Sequence, residues 1–265
     1  QFTVKGAVAL SHNWTLYIIA FAMSLFITFF TVPLAKKLSV KFGAIDYPKD
    51  RGIHKKPMPR MGGIAIVLGF MITVFVLVRF MDDINIKQFI GLIAGALLIA
   101  FLGMADDTRN LPARFKLAVQ IIAALIVVFS GTRMRIMTFP ALSVLSVPLT
   151  VIWIVGVTNA VNLIDGMDGL ASGVSAIAAL SLMFLCIMTG SEMAVFLTAV
   201  LAGSCIGFLP RNFNPAEIFM GDTGSTFLGF VLAVTSILGV FKGYTVLALV
   251  VTILCLGLPI FDTLF

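Results

Sequence analysis

Residues 145–189 read LSVPLTVIWIVGVTNAVNLIDGMDGLASGVSAIAALSLMFLCIMT. One apolar run, Leu145–Val161, meets a second, Leu170–Thr189, across a short polar joint. About 20 apolar residues cross the hydrocarbon core of a bilayer as a helix. Lipid offers backbone groups no partners, so each run must satisfy its own N–H and C=O groups by coiling. At the joint, Asn159 and Asn162 are three apart and share a helix face. Asp165 and Asp168 repeat that spacing, with Gly166 and Gly169 interleaved. Glycines admit close backbone approach to a ligand, and Asn and Asp supply oxygens for a hard cation. A plainer reading makes Asp168 the N-cap of the following helix. It accounts for one of the four residues.

The same alternation extends over the whole chain. Of 265 residues, 60% are hydrophobic and 11% charged, against about 25% charged in soluble domains. Nine spans are expected, near Trp14–Leu34, Ile64–Phe80, Phe89–Ala105, Leu117–Gly131, Leu145–Val161, Leu170–Thr189, Met193–Leu209, Thr226–Phe241 and Tyr244–Phe261. The fold class is therefore an all-α, polytopic helical bundle in a membrane, with a single transmembrane catalytic domain over 1–265. The chain begins at Gln1 and stops at Phe265 in an apolar context, so truncation at the C-terminus is expected. Cys186, Cys205 and Cys255 lie inside apolar runs and read as small core residues, not as a metal site or disulfide. The net charge of +6 comes without an aromatic-basic module, which excludes nucleic acid and favours anionic lipid and anionic substrates.

Lys and Arg set orientation. Lys36, Lys37, Lys41, Lys49, Arg51, Lys55, Lys56 and Arg60 crowd the loop 35–61, which is expected in the cytoplasm with the N-terminus outside. Loops 105–116, 162–169 and 210–225 then share that side. So do Asp46, Asp50, Asp106, Asp107, Asp165, Asp168, Glu217, Asp222 and Asp262, nine of the twelve acids. Acids do not set topology, so their gathering on one side needs a chemical cause. The opposite loops are short, and 132–144 is expected to form a small hairpin.

Three further segments carry chemistry. FLGMADDTRN, 101–110, ends the third span on Asp106 and Asp107. Acids are disfavoured at a helix C-terminus and repel one another, so a cation such as Mg²⁺, Arg109, Arg114 or Lys116 should compensate. RNFNPAEIFMGDTGSTFLG, 211–229, places Asp222 before an apolar helix, where a simple N-cap would also serve. Its Gly-rich helix start suits an anion, and Asn212 and Phe219 suit a base. HKKPMPRMGG, 54–63, offers Lys56 and Arg60 to headgroups or a diphosphate, or merely marks the inner side.

In this order and spacing the four segments resemble the polyprenyl-phosphate N-acetylhexosamine-1-phosphate transferases. The resemblance runs from GAIDYPKDRGIHKKPMPRMGG at 43 through the Asp222 segment. Met58, Pro59 and Arg60 resemble the branch using UDP-N-acetylglucosamine, whereas the phospho-MurNAc-pentapeptide translocase branch typically has a Thr-Pro-Thr type sequence there. The resemblance implies transfer of N-acetylglucosamine-1-phosphate from UDP-N-acetylglucosamine to undecaprenyl phosphate with release of UMP, starting a cell-envelope glycopolymer such as teichoic acid. It implies Mg²⁺ (Mn²⁺ can replace it) on Asp222 and Asn162, and a catalytic set of Asp106, Asp107 and Lys116. Asn159, Asp165, Asp168, Asn212, Phe219, Arg60 and Lys56 are then the substrate-binding residues. The setting implied is a bacterial plasma membrane, with the site facing the cytoplasm; a homodimer is compatible with it. The family's His-rich segment after the ninth span has no counterpart here. A secondary transporter, with ionisable residues at mid-membrane, is the reading from another class.

Overall fold

The first eight expected spans fall on helices. The computed structural model describes residues 14–47, 57–81, 84–134 and 144–239. The ninth expected span, Asp262, Lys56 and most of the expected 132–144 hairpin lie outside the described residues. The helices are α1 (Trp14–Lys41), α2 (Gly63–Leu77, prolonged by a 3₁₀ turn, Val78–Phe80), α3 (Ile86–Arg109) and α4 (Ala113–Phe129). They continue with α5 (Ser146–Leu163), α6 (Leu170–Thr189), α7 (Glu192–Asn212) and α8 (Gly221–Gly239). Seven are long and apolar enough to cross a membrane; α4, with 17 residues, is the shorter one. The protein is an all-α, multi-pass membrane protein.

Helix α8 is the axis, surrounded by α2, α3, α5, α6 and α7. Its residues from Thr223 to Gly239 are all buried. Helix α1 packs on α2 and α7 at the edge. Its inward stripe is Tyr17, Ala20, Ser24, Thr28, Val32, Ala35 and Ser39, at spacings of three and four, while Ile18, Phe26, Phe30 and Leu34 face outward. Lipid is as apolar as leucine, so membrane helices associate through close backbone contact, not hydrophobic exclusion. Small residues supply that contact: a β-carbon on Gly203 or Gly207 of α7 would collide with the carbonyl oxygens of Phe21 and Leu25.

Two helix ends differ from expectation in ways that matter for the site. Helix α3 runs past Ala105 to Arg109, so Asp106 and Asp107 lie within its last turns. Helix α8 starts at Gly221, so Asp222 sits in its first turn and is not the residue before it. The basic loop also holds a two-residue antiparallel pair, β1 (Ile45–Asp46) with β2 (Met58–Pro59), too short to leave an alternating pattern in the sequence. The backbone at 219–220 runs beside it: Phe219 N donates to Pro59 O at 2.8 Å, and Gly62 and Gly63 N donate to Phe219 and Met220 O at 2.9 and 2.8 Å.

Candidate active site

The first turn of a helix presents N–H groups without partners and the positive end of the helix dipole. In α8 those groups are satisfied from another helix. Asp107 Oδ1 accepts from Asp222 N at 2.9 Å, and Oδ2 accepts from Thr223 N at 3.0 Å and Thr223 Oγ1 at 2.6 Å. Arg60 Nη2 lies 3.3 Å from Oδ1, and the Asp107 side chain is 0% exposed. Asp107 therefore fastens α3 to the start of α8. Gly221 makes the approach feasible: its φ is +72°, a left-handed conformation that favours glycine, and a β-carbon there would collide with the Arg60 carbonyl oxygen.

Asp106, one residue earlier, points about 100° away around the helix and does a different job. Lys116 Nζ bridges Asp106 Oδ2 at 2.9 Å and Asp222 Oδ2 at 3.1 Å. Local structure makes this bridge possible. Asn110 ends α3 in the left-handed region at φ 46°, and α4 restarts at Ala113, returning Lys116 over the acid pair. Leu111 N donates to Asp106 Oδ1 at 2.6 Å and fixes the other oxygen. Asp222 Oδ1 also lies 4.0 Å from Arg60 Nη2.

The joint between α5 and α6 supplies the fourth carboxyl. Asp165 is half-buried, and burial together with the charges of Asp222 and Asp107 pushes its carboxyl up to about 7, against the opposing pull of the Gly221 backbone N–H and Arg60. Asn162 Oδ1 accepts from Ser225 Oγ at 2.6 Å. Asn159 pairs with Gln120 of α4. Counted over the described residues, four carboxyl groups thus face two cationic side chains, Arg60 and Lys116. Among the described residues no three His, Cys, Asp or Glu side chains form a ready metal cage. Mg²⁺ is ordinarily held by one or two carboxylates together with waters and substrate phosphates, which is what a surplus of carboxyls opening to substrate can offer.

The remaining expected residues brace the 213–220 loop. Asp168 does not cap α6; Gly169 occupies that position at φ +72°, and Asp168 Oδ2 accepts from Ala216 N at 3.0 Å. Asn212 is buried, accepting from Ser172 Oγ at 2.8 Å and donating to Ile218 O at 3.1 Å. Phe219 is placed by its backbone bonds to Pro59 and Gly62. Glu217 joins Lys36 of α1 to Arg211 of α7, and those two cations hold its carboxyl below the usual range. Sequence reasoning missed Gln120, Thr223 and Ser225. Gln120 was findable as a polar residue within the apolar run of α4; the two hydroxyls are indistinguishable in sequence from ordinary helix-start residues.

Similarity to known proteins agrees with this geometry. Residues 89–240, more than half of the chain, match the sequence model of glycosyl transferase family 4. The probable undecaprenyl-phosphate N-acetylglucosaminyl 1-phosphate transferase of Bacillus subtilis is 40% identical over 254 residues, covering 94% of this chain and 70% of that protein. A decaprenyl-phosphate N-acetylglucosaminephosphotransferase of Mycolicibacterium smegmatis is 33% identical over 233 residues, covering 79% of this chain; the chain spans 57% of that relative's length. The phospho-N-acetylmuramoyl-pentapeptide-transferase of Heliobacterium modesticaldum is 35% identical over 242 residues, covering 84% of this chain and 73% of its own. An acid-lined site at one end of a membrane bundle, carried on a chain that matches over this length, belongs to glycosyl transferase family 4, among the polyprenyl-phosphate hexosamine-1-phosphate transferases.

Proposed function

We propose that the protein transfers N-acetylglucosamine-1-phosphate from UDP-N-acetylglucosamine to undecaprenyl phosphate, releasing UMP. A phosphate oxygen of the lipid attacks the sugar-bearing phosphorus; the bond from that phosphorus to the bridging oxygen breaks, and UMP leaves with its electron pair. The observation that carries the reading is Lys116 held between Asp106 and Asp222 where four helix pairs end together. A lipid phosphate sits at the membrane interface and a nucleotide sugar arrives from water, so their reaction needs a site at span ends. No Asp, Glu, Lys or Arg occupies the middle of a span among the described residues, which argues against a transporter. The N-acetylglucosamine branch is favoured by the Bacillus relative's identity and its coverage of this chain, above those of the pentapeptide transferase named, and by Met58-Pro59-Arg60.

In this reading Asp106 receives the lipid phosphate's proton or orients that phosphate, with Lys116 offsetting its charge. Asp222 and Asp165, with Asn162 adjoining, hold Mg²⁺, which supplies charge neutralisation on the diphosphate when bound. Asp107 is positioning: its oxygens hold the α8 start and so aim Asp222. The basic loop supports a site on the cytoplasmic side, since Lys and Arg gather there. The test uses purified protein in liposomes with both substrates. UMP should appear only when UDP-N-acetylglucosamine, undecaprenyl phosphate and a dication are all present, and chelator should stop it. UMP released with no lipid phosphate, leaving sugar phosphate attached to the protein, would instead establish a two-step route through an Asp nucleophile. Preference for UDP-MurNAc-pentapeptide would move the protein to the other branch.

A further inference from the structure

We propose that Gln120, in the membrane-buried face of α4, is a positioning residue that sets Lys116 in the site through a reciprocal amide pair with Asn159. Gln120 is 2% exposed. Its Nε2 donates to Asn159 Oδ1 at 3.3 Å, and Asn159 Nδ2 donates back to Gln120 Oε1 at 2.7 Å. Asn159 Nδ2 also donates to its own helix at Val155 O, 2.8 Å away, which fixes the amide's orientation on α5.

Helix α4 needs such a device. It packs chiefly on α3 and α5, and Pro112 at its start gives no side-chain cap. The rest of its buried face is Ala123, Ala124, Val127 and Val128, a low-relief surface with little to choose between neighbouring registers. A polar pair within an apolar seam selects one register, because any other leaves the amides unpaired in a medium without water. Lys116 precedes Gln120 by four residues and shares its face, so the register that pairs Gln120 also presents Lys116 to Asp106 and Asp222. On α5, Asn159 and Asn162 face two ways: Asn159 fixes α4, and Asn162 accepts from Ser225, three residues beyond Asp222 on α8. One turn of α5 thereby aligns both halves of the Lys116–Asp222 ion pair.

The inference rests on the transferase reading, so its test has one arm that needs no turnover. Gln120→Leu keeps the volume and suits the membrane. It should lower kcat by about 10- to 100-fold, as a misplacement near 1 Å does, while KM for UDP-N-acetylglucosamine stays within about twofold. Exchanging the amides, Gln120→Asn with Asn159→Gln, should restore most of the turnover lost in Gln120→Leu, which a general packing defect would not allow. Independently, labelling of Lys116 by an amine-reactive reagent, followed by peptide mass spectrometry, should be several-fold faster in Gln120→Leu than in the wild type. Wild-type turnover in Gln120→Leu, failure of the exchange to rescue, or unchanged Lys116 labelling overturns the proposal. A wild type that releases no UMP, yet shows the labelling difference, overturns the transferase reading alone.

Discussion

The two ends of helix α8 solve one problem with different chemistry. Where its described residues stop, the carbonyls of Leu238 and Gly239 accept from the neutral hydroxyls of Ser191 and Thr189, at 3.1 and 2.8 Å. At its near end the N–H groups of Asp222 and Thr223 are taken by a carboxylate, with Arg60 and Lys116 close by. Neutral hydroxyls serve the last two described carbonyls of α8, whereas its start gathers charge. Buried charge is costly, and at a membrane boundary it marks function by default. The difference also sorts the acids: Asp107 serves the helix, whereas Asp106, Asp165 and Asp222 are surplus to it.

The largest effect should follow from removing a surplus charge. Asp222→Asn should lose about 10³-fold in turnover, the scale of losing a preorganised electrostatic contact in a site. Its melting temperature should hold or rise, because four neighbouring carboxyls become three. A variant that keeps turnover would reduce Asp222 to a helix-start residue and remove the contrast between the ends.

Asp106→Asn and Asp107→Ala should separate next. Losing a general base typically costs about 10²–10⁴-fold, so Asp106→Asn should fall in turnover with little change in thermal unfolding. Asp107→Ala leaves two backbone donors, a hydroxyl and Arg60 without their acceptor. It should cost about 2–3 kcal/mol, read as a lowered melting temperature in detergent, and lose activity as a consequence. Equal stability in the two variants would contradict the division of labour between adjacent residues.

Much of this was legible in the sequence, for a physical reason. Hydropathy fixes where helices lie because lipid tolerates no unsatisfied backbone, and the first eight expected spans each fall on a helix. Asp106, Asp107, Asp165 and Asp222 could be singled out because acids gathered at span ends ask for a cause, and the structure brings these four together. Side-chain direction was not legible. Whether Asp168 caps α6 or reaches Ala216, and whether Asn159 faces a ligand or Gln120, depends on how helices far apart in sequence are rotated against each other. The β1–β2 pair and the start of α8 at Gly221 are likewise set by contacts between the 59–63 and 219–221 segments, which no local pattern encodes.

A smaller effect concerns pH. Asp165 titrates near 7 in the fold against the ordinary carboxylate range near 4 when unfolded. The folded state therefore binds the extra proton between those values. Without a dication, this group's contribution to stability is greatest below about pH 4, falls as pH rises towards 7, and is level beyond. Asp165→Asn should flatten that slope and raise the melting temperature at pH 8 more than at pH 5. Mg²⁺ should narrow the gap between wild type and variant at pH 8 if the surplus carboxyls hold it. An unchanged slope would place Asp165 outside the repelling cluster.

The smallest effect tests the far end. Thr189→Val keeps shape and removes the hydroxyl that serves Gly239 O; Ser191→Ala does the same for Leu238 O. A helix-to-helix hydrogen bond in a membrane contributes about 0.6 kcal/mol on average, and a carbonyl oxygen carries two lone pairs. Each variant should therefore lose well under what Asp107→Ala loses, with the double variant close to the sum, since the two carbonyls are served separately. Turnover should stay within about twofold, because hydroxyls at this end carry no charge to the site and Asp107, with Asn162 on Ser225, fixes the near end of α8. A tenfold loss of turnover in either variant would mean that α8 moves as a rigid rod between its two ends. The closing of the far end would then be part of how Asp222 is aimed, and the separation of structural and chemical ends would fail.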